Sequence, residues 1–269
     1  LGWAYWLKSD WQQVVFQWEQ VPASRKDRDS YLAQAKDNLG VQEMLAQSAQ
    51  SAPETVATSA PQGTTIRIRA VGDLMIGTDF PGGYLPPNGG ADSFAQVTHW
   101  LEDADLTFGN LEGPLCDGGR TNKCRPNAKP GSCYAFRTPA SYATHYKAAG
   151  FDLLSTANNH ASDFGEECRR QTESLLDGLG IAHSGRPGDV ASVTSQGLKV
   201  AMIAFGTSRS THYINDHTTA AKLVQSLDAT HDIVIVSFHG GAEGSKRTHV
   251  PDKMEIFYGE KRGHLRKFA

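Results

Sequence analysis

The chain lacks the features that mark a nucleic-acid binder, a membrane span or the commoner hydrolase and nucleotide-binding folds. Its formal charge is -3 over 269 residues, and Lys and Arg are scattered rather than gathered into one patch, which sets nucleic acid aside as a partner. No Gly-x-Ser-x-Gly elbow, Walker loop or dinucleotide fingerprint occurs, and no internal repeat is evident. Long hydrophobic runs are also missing. Leu1 to Leu7 (LGWAYWL) is apolar and aromatic but too short to cross a bilayer. It reads as the trailing end of a membrane anchor, with a short amphipathic helix end or a packed Trp cluster as the alternatives.

Cysteine is scarce, and its placement is informative. Cys116, Cys124 and Cys133 lie in a loop rich in Gly, Pro, Asn and Lys, and Cys168 falls on an expected helix. The separations from 116 to 124 and from 124 to 133 match no zinc-knuckle pattern. Four cysteines in a loop-rich region instead suggest two disulfides and an oxidising compartment, with the pairing left open.

What is present is an ordinary globular composition, 39% hydrophobic and 20% charged, with an uneven layout. Residues 1–47 read as a possible anchor remnant followed by a helical stalk, with Asp27 to Ala49 as helix. Residues 48–63 are small and polar with two prolines and read as a linker. From residue 64 to 269 strands and helices alternate, which implies an α/β domain with a largely parallel or mixed sheet. Helices are expected over Ser93 to Asp103, Ala140 to Ala149, Glu166 to Leu179, Thr218 to Leu227 and Arg262 to Phe268.

Four apolar runs in this domain end on potential metal ligands or turn residues. Ile66 to Val71 runs into Gly72-Asp73, and Leu106 to Phe108 into Gly109-Asn110-Leu111-Glu112. Phe151 to Thr156 leads to Asn158-Asn159-His160, and Ile233 to Phe238 to His239. Open α/β sheets place their sites at the carboxyl ends of strands. Convergence would therefore gather two carboxylates, an amide and two imidazoles, a set suited to a polynuclear metal centre acting on a phosphate-type ester. An amide oxygen can ligate a cation while the neighbouring imidazole stays free to protonate a leaving oxygen. Single features have blander readings: Asp73 as a helix cap, Glu112 as a surface turn, His239 as a core histidine. Asp163 reads as a residue shaping its loop, and the histidines outside these motifs mostly as surface groups.

In order, the segments AVGDLMIG, DLTFGNLEGPL, STANNHASDFG and VIVSFHGGAEG resemble the poly-gamma-glutamate capsule-synthesis (CapA-like) proteins, a branch of the calcineurin-like metallophosphatase superfamily. The resemblance implies an α/β/β/α sandwich holding two divalent metal ions, Mn, Fe or Zn. It implies that Asp73 binds the first metal, Glu112 bridges both, Asn159 and His239 bind the second, and His160 acts as acid and phosphate contact. Other metallophosphatases carry His where this chain has Met75, and thioether sulfur is a poor ligand for hard cations. The family's closing histidine segment has no counterpart before Ala269; Gly263-His264 matches it only superficially. The chain is therefore expected to be C-terminally incomplete, with an incomplete metal set.

The function implied is a capsule-synthesis protein of the cell envelope, extracytoplasmic and membrane-anchored, with a metal-dependent hydrolase site for a phosphoester or anionic envelope polymer. The alternative is a non-catalytic binding or scaffold subunit of a polymer synthesis and export complex.

Overall fold

The computed structural model describes residues 11–25, 64–121, 123–124 and 133–269, with separate helical positions between 28 and 39. The segment Leu1 to Leu7, the 48–63 linker and much of the stalk helix expected from Asp27 to Ala49 lie outside the described residues. In the amino-terminal part, helix α1 (Trp11–Glu19) buries Val14 and Trp18 in a small cluster with Ala35.

Two sheets build the domain from residue 64 onward. The first is parallel, in the order β1 (Ile68–Leu74), β2 (Leu106–Leu111), β3 (Leu153–Ser155), β4 (Ala182–Ser184). The second is mixed. β6 (Leu198–Gly206) pairs antiparallel with β5 (Ala191–Ser195) and parallel with β7 (His212–Tyr213) and β8 (Ile233–Phe238). β9 (Glu255–Phe257) and β10 (Glu260–Gly263) form a separate hairpin.

Side-chain alternation explains the layering, because successive residues of a strand face opposite sides of its sheet. Leu106 and Phe108 of β2 meet Val200 and Met202 of β6 and Ile233 and Ile235 of β8 in one cluster between the sheets. On the outer side of the first sheet, Leu111 and Leu154 pack against Tyr146 of α3 (Ala143–Ala148) and Leu176 of α4 (Gly165–Gly178). On the outer side of the second, Ala201, Ile203 and Phe205 pack against Ala220, Leu223 and Leu227 of α5 (His217–Asp228). The layers are therefore α/β/β/α, with the sandwich core at the sheet-to-sheet interface.

Several local expectations change. The helix expected over Ser93 to Asp103 is reduced to α2 (Thr98–Leu101). Upstream, the amides of Ser93, Ala95 and Val97 bond three residues back, and Val97 at φ -122 is not helical, so this stretch winds as turns. The Ala140 segment begins as a 3-10 turn before α3, and the Thr138 hydroxyl just upstream donates to Gly77 O. β5 adds a strand that the apolar pattern did not mark. It joins β6 through Gln196 and Gly197, both at positive φ, as a two-residue hairpin loop of that twist requires. The final helix, α6, is short (Leu265–Phe268), and Arg262 lies buried in β10 rather than on a helix.

Both disulfides form: Cys116 joins Cys168, and Cys124 joins Cys133. Among the described residues no helix is long and apolar enough to cross a membrane.

Candidate metal centre

The inward faces of β2 and β8 turn polar at their carboxyl ends. On β2 the face that carries Leu106 and Phe108 continues to Asn110 and Glu112; on β8 the face that carries Ile233 and Ile235 continues to His239. Sheet packing thus drives these polar groups together at one rim of the sandwich. β1 needs an irregularity to join them. Three steps on β1, from Ala70 to Asp73, match two on β2, from Phe108 to Asn110, and this bulge sets Asp73 beside Asn110.

All five residues singled out in the sequence lie close together. His239 Nδ1 is 3.6 Å from Asp73 Oδ1 and 3.6 Å from Glu112 Oε2, while its Nε2 is 2.8 Å from Asn159 Oδ1. His160 Nε2 faces Glu112 Oε1 at 3.7 Å. One ligand atom from each of Asp73, Glu112 and His239 lies within 4.8 Å of the others, a spacing a cation can bridge.

Five further residues organise the cluster. Asn110 donates from Nδ2 to Asp73 Oδ1 at 2.7 Å and to Glu112 Oε2 at 3.0 Å, with His239 Nδ1 at 3.4 Å. Asn158 supports Asn110 through Nδ2 to Oδ1 at 3.2 Å and holds Leu111 O at 2.7 Å. Asp163, with a side chain 1% exposed, accepts from His160 Nδ1 at 2.6 Å. Asp163 thus does more than shape its loop; its position three residues after His160 in a turn was the available signal. Lys123 donates to Asp163 Oδ1 at 2.6 Å and to Asn159 O at 2.9 Å, and Phe136 stacks on His160 with centroids 4.1 Å apart.

The electrostatics separate the two carboxyls. Interaction with His239 and the Asn110 amide hold Asp73 below its ordinary value against the opposing effect of burial. Burial pushes Glu112 up. Burial also disfavours a charged His239, but Asp73 and Glu112 outweigh it and raise the imidazole. Two carboxyls and an imidazole form a donor set suited to a divalent cation, with the Asn159 amide oxygen on the far nitrogen of that imidazole. The Asn110 amide nitrogen, central to three ligand atoms, occupies the position where positive charge is wanted. The residues present therefore fit a metal.

Other residues noted in the sequence lie outside this cluster. Met75 is 42% exposed. His264 faces Asp252 at 3.7 Å. His212, grouped above with the surface histidines, is buried.

A sandwich of two sheets between helices, with carboxylates, amides and imidazoles gathered at strand ends from both sheets, is the architecture of a metallophosphatase-like α/β protein. Within that class the chain belongs to the bacterial capsule synthesis protein family PGA_cap, whose profile matches residues 67–256. It is also similar to two uncharacterized proteins of Sinorhizobium fredii, y4sH and y4uA. Each is 34% identical over 131 residues, covering 49% of this chain and 26% of the relative. The match thus spans well under half of those relatives' length. The family is named for bacterial capsule synthesis. The two disulfides fit an extracytoplasmic compartment.

Proposed function

We propose that this chain carries a metal-dependent hydrolase site for a phosphoester or related anionic envelope polymer, with Asp73, Glu112, Asn159 and His239 as metal ligands and His160 as proton donor. The observation that carries this reading is the convergence of Asp73, Glu112 and His239 from two sheets, with ligand atoms within 4.8 Å. Divalent cations bound there would polarise a phosphoryl oxygen and ready a water for attack.

The remaining roles belong to the chain's own groups. His160 Nδ1 is committed to Asp163, so Nε2, facing Glu112 and the cluster, is the atom that takes up a proton and then passes it to the leaving oxygen. Asp163 holds the ring in that orientation. Phe136 covers one face of the imidazole and limits water there. Asn110 and Asn158 fix the two carboxyls through hydrogen bonds that require no charge.

Metal content and turnover of an aryl phosphate and an aryl phosphodiester, on this chain and on Asp73→Ala and His160→Ala, test the reading. The expected pattern is metal lost in Asp73→Ala, and turnover lost at retained metal in His160→Ala. Bound anionic polymer without turnover in any variant would favour the second reading, a non-catalytic subunit of an envelope synthesis or export complex. Met75 favours that second reading, because it offers a soft thioether where related enzymes hold a ligand.

A further inference from the structure

We infer that Lys123 is a positioning residue for His160, and that the Cys124–Cys133 disulfide makes it one by joining the two ends of a clamp. The inference rests on the reading of His160 as the proton donor and concerns how its ring is held.

His160 Nδ1 has two neighbours, Asp163 Oδ2 at 2.6 Å and Lys123 Nζ at 2.9 Å. A ring nitrogen offers either a proton or a lone pair. A carboxylate oxygen accepts, so the shorter contact fixes Nδ1 as the protonated atom. Lys123 then spends its donors on Asp163 Oδ1 at 2.6 Å and Asn159 O at 2.9 Å. Asp163 Oδ2 also accepts from Phe136 N at 2.8 Å. The carboxylate is therefore gripped from two sides, by Lys123 on one oxygen and by Phe136 N on the other. It presents Oδ2 to His160 and leaves Nε2 directed at Glu112.

The two gripping residues lie at the ends of one loop. Cys124 follows Lys123 directly, and its partner Cys133 precedes Phe136 by three residues. Phe136 has its own anchor next door. Arg137 bonds Asp79 at 2.8 Å and Gly118 O at 2.6 Å and lies over the Phe164 ring. Among the described residues, the backbone of Lys123 makes one local hydrogen bond, from its amide to Thr121 Oγ1. The bridge ties Lys123 to the anchored end and keeps its ammonium at a high effective concentration beside Asp163. Opening the bridge should release Lys123 while leaving Phe136 in place.

The test is long-range proton–nitrogen NMR of histidine-labelled full chain without added metal, so it stands or falls independently of hydrolysis or metal binding. The wild type should give a single Nδ1-protonated His160 pattern. Lys123→Met should convert it to a mixed tautomer pattern, Lys123→Arg should restore it, and Cys124→Ser with Cys133→Ser should move it the same way by a smaller amount. Buried His212, whose Nε2 donates to Asp189 O at 3.0 Å, is the internal reference for an intact fold. Its signals should stay fixed in every variant. An unchanged His160 pattern in Lys123→Met, with His212 also unchanged, overturns the positioning role. A changed pattern in Lys123→Met but none in the double cysteine variant overturns the role of the bridge.

Discussion

Glu112 and His239 meet across the gap between two sheets, with Oε2 3.6 Å from Nδ1, although they follow β2 of one sheet and β8 of the other. A cation held between them therefore binds only when the sheets are packed. Binding to the folded state alone adds roughly 2.7 kcal/mol at a hundredfold excess over Kd. For a domain of this size that is on the order of 5–10 °C in melting temperature. Thermal melts with and without Mn should show this rise in the wild type and lose it in Glu112→Ala. Equal shifts in both proteins would mean that metal binds elsewhere.

Asn110 lends the cluster a donor without adding charge. Asn110→Asp would replace a hydrogen bond to Asp73 and Glu112 with a third carboxylate at about the same distances. In metal-free protein the loss should be about 1–3 kcal/mol, from an unmade bond plus like-charge repulsion. A cation neutralises that repulsion. Urea denaturation should thus show a larger Mn-induced gain in the variant than in the wild type; an equal or smaller gain would contradict the placement of the ion.

The Cys116–Cys168 disulfide closes a separation of 52 residues and buries both sulfurs in a cluster with Ala135 and Phe164. Loop-closure entropy then gives about 4 kcal/mol to this bridge, and roughly 2.5 kcal/mol to Cys124–Cys133, which spans nine residues. Serine replacement of each pair, followed by chemical denaturation, should rank them in that order. The reverse order would show that burial and denatured-state structure, rather than loop length, set the contributions.

Much of the cluster could be read from the sequence because its proposed ligands end apolar strands. The inward alternation of Leu106 and Phe108 leads to Glu112, and that of Ile233 and Ile235 leads to His239. The positions were thus fixed by the periodicity that builds the core. Lys123 could not be read this way: it lies in a polar loop 37 residues from His160, and a disulfide whose pairing spacing does not reveal holds it. The bulge that turns Asp73 toward Asn110 leaves no pattern in the sequence beyond one glycine, Gly72. β5, reading ASVTS, alternates small polar groups with two weakly apolar ones, and its strand state comes from pairing with β6. The buried state of His212 follows from tertiary packing beside Phe205.

His212 should make the fold sensitive to acid at a point outside the proposed metal cluster. Its ring is buried, and Nε2 donates to the Asp189 carbonyl, which the neutral imidazole satisfies. Burial pushes the group down to about 4, against an ordinary value of 6.5. A folded-state value below the unfolded one means that the unfolded chain binds more protons between these limits. Stability is therefore fully present above the ordinary value and falls as pH drops toward the folded-state value, at about 1.4 kcal/mol per pH unit. The other acid-sensitive groups, Asp73 and Glu112 among them, are common to wild type and variant, so the difference between the two isolates this residue. Gln at this position offers an amide N–H to the same carbonyl and does not titrate. Denaturation at about pH 7.5 and about pH 5 should show the wild type losing roughly 2 kcal/mol more than His212→Gln across that interval. Parallel losses in the two proteins would place the protonation elsewhere, and a smaller loss in the wild type would reverse the sign of the argument.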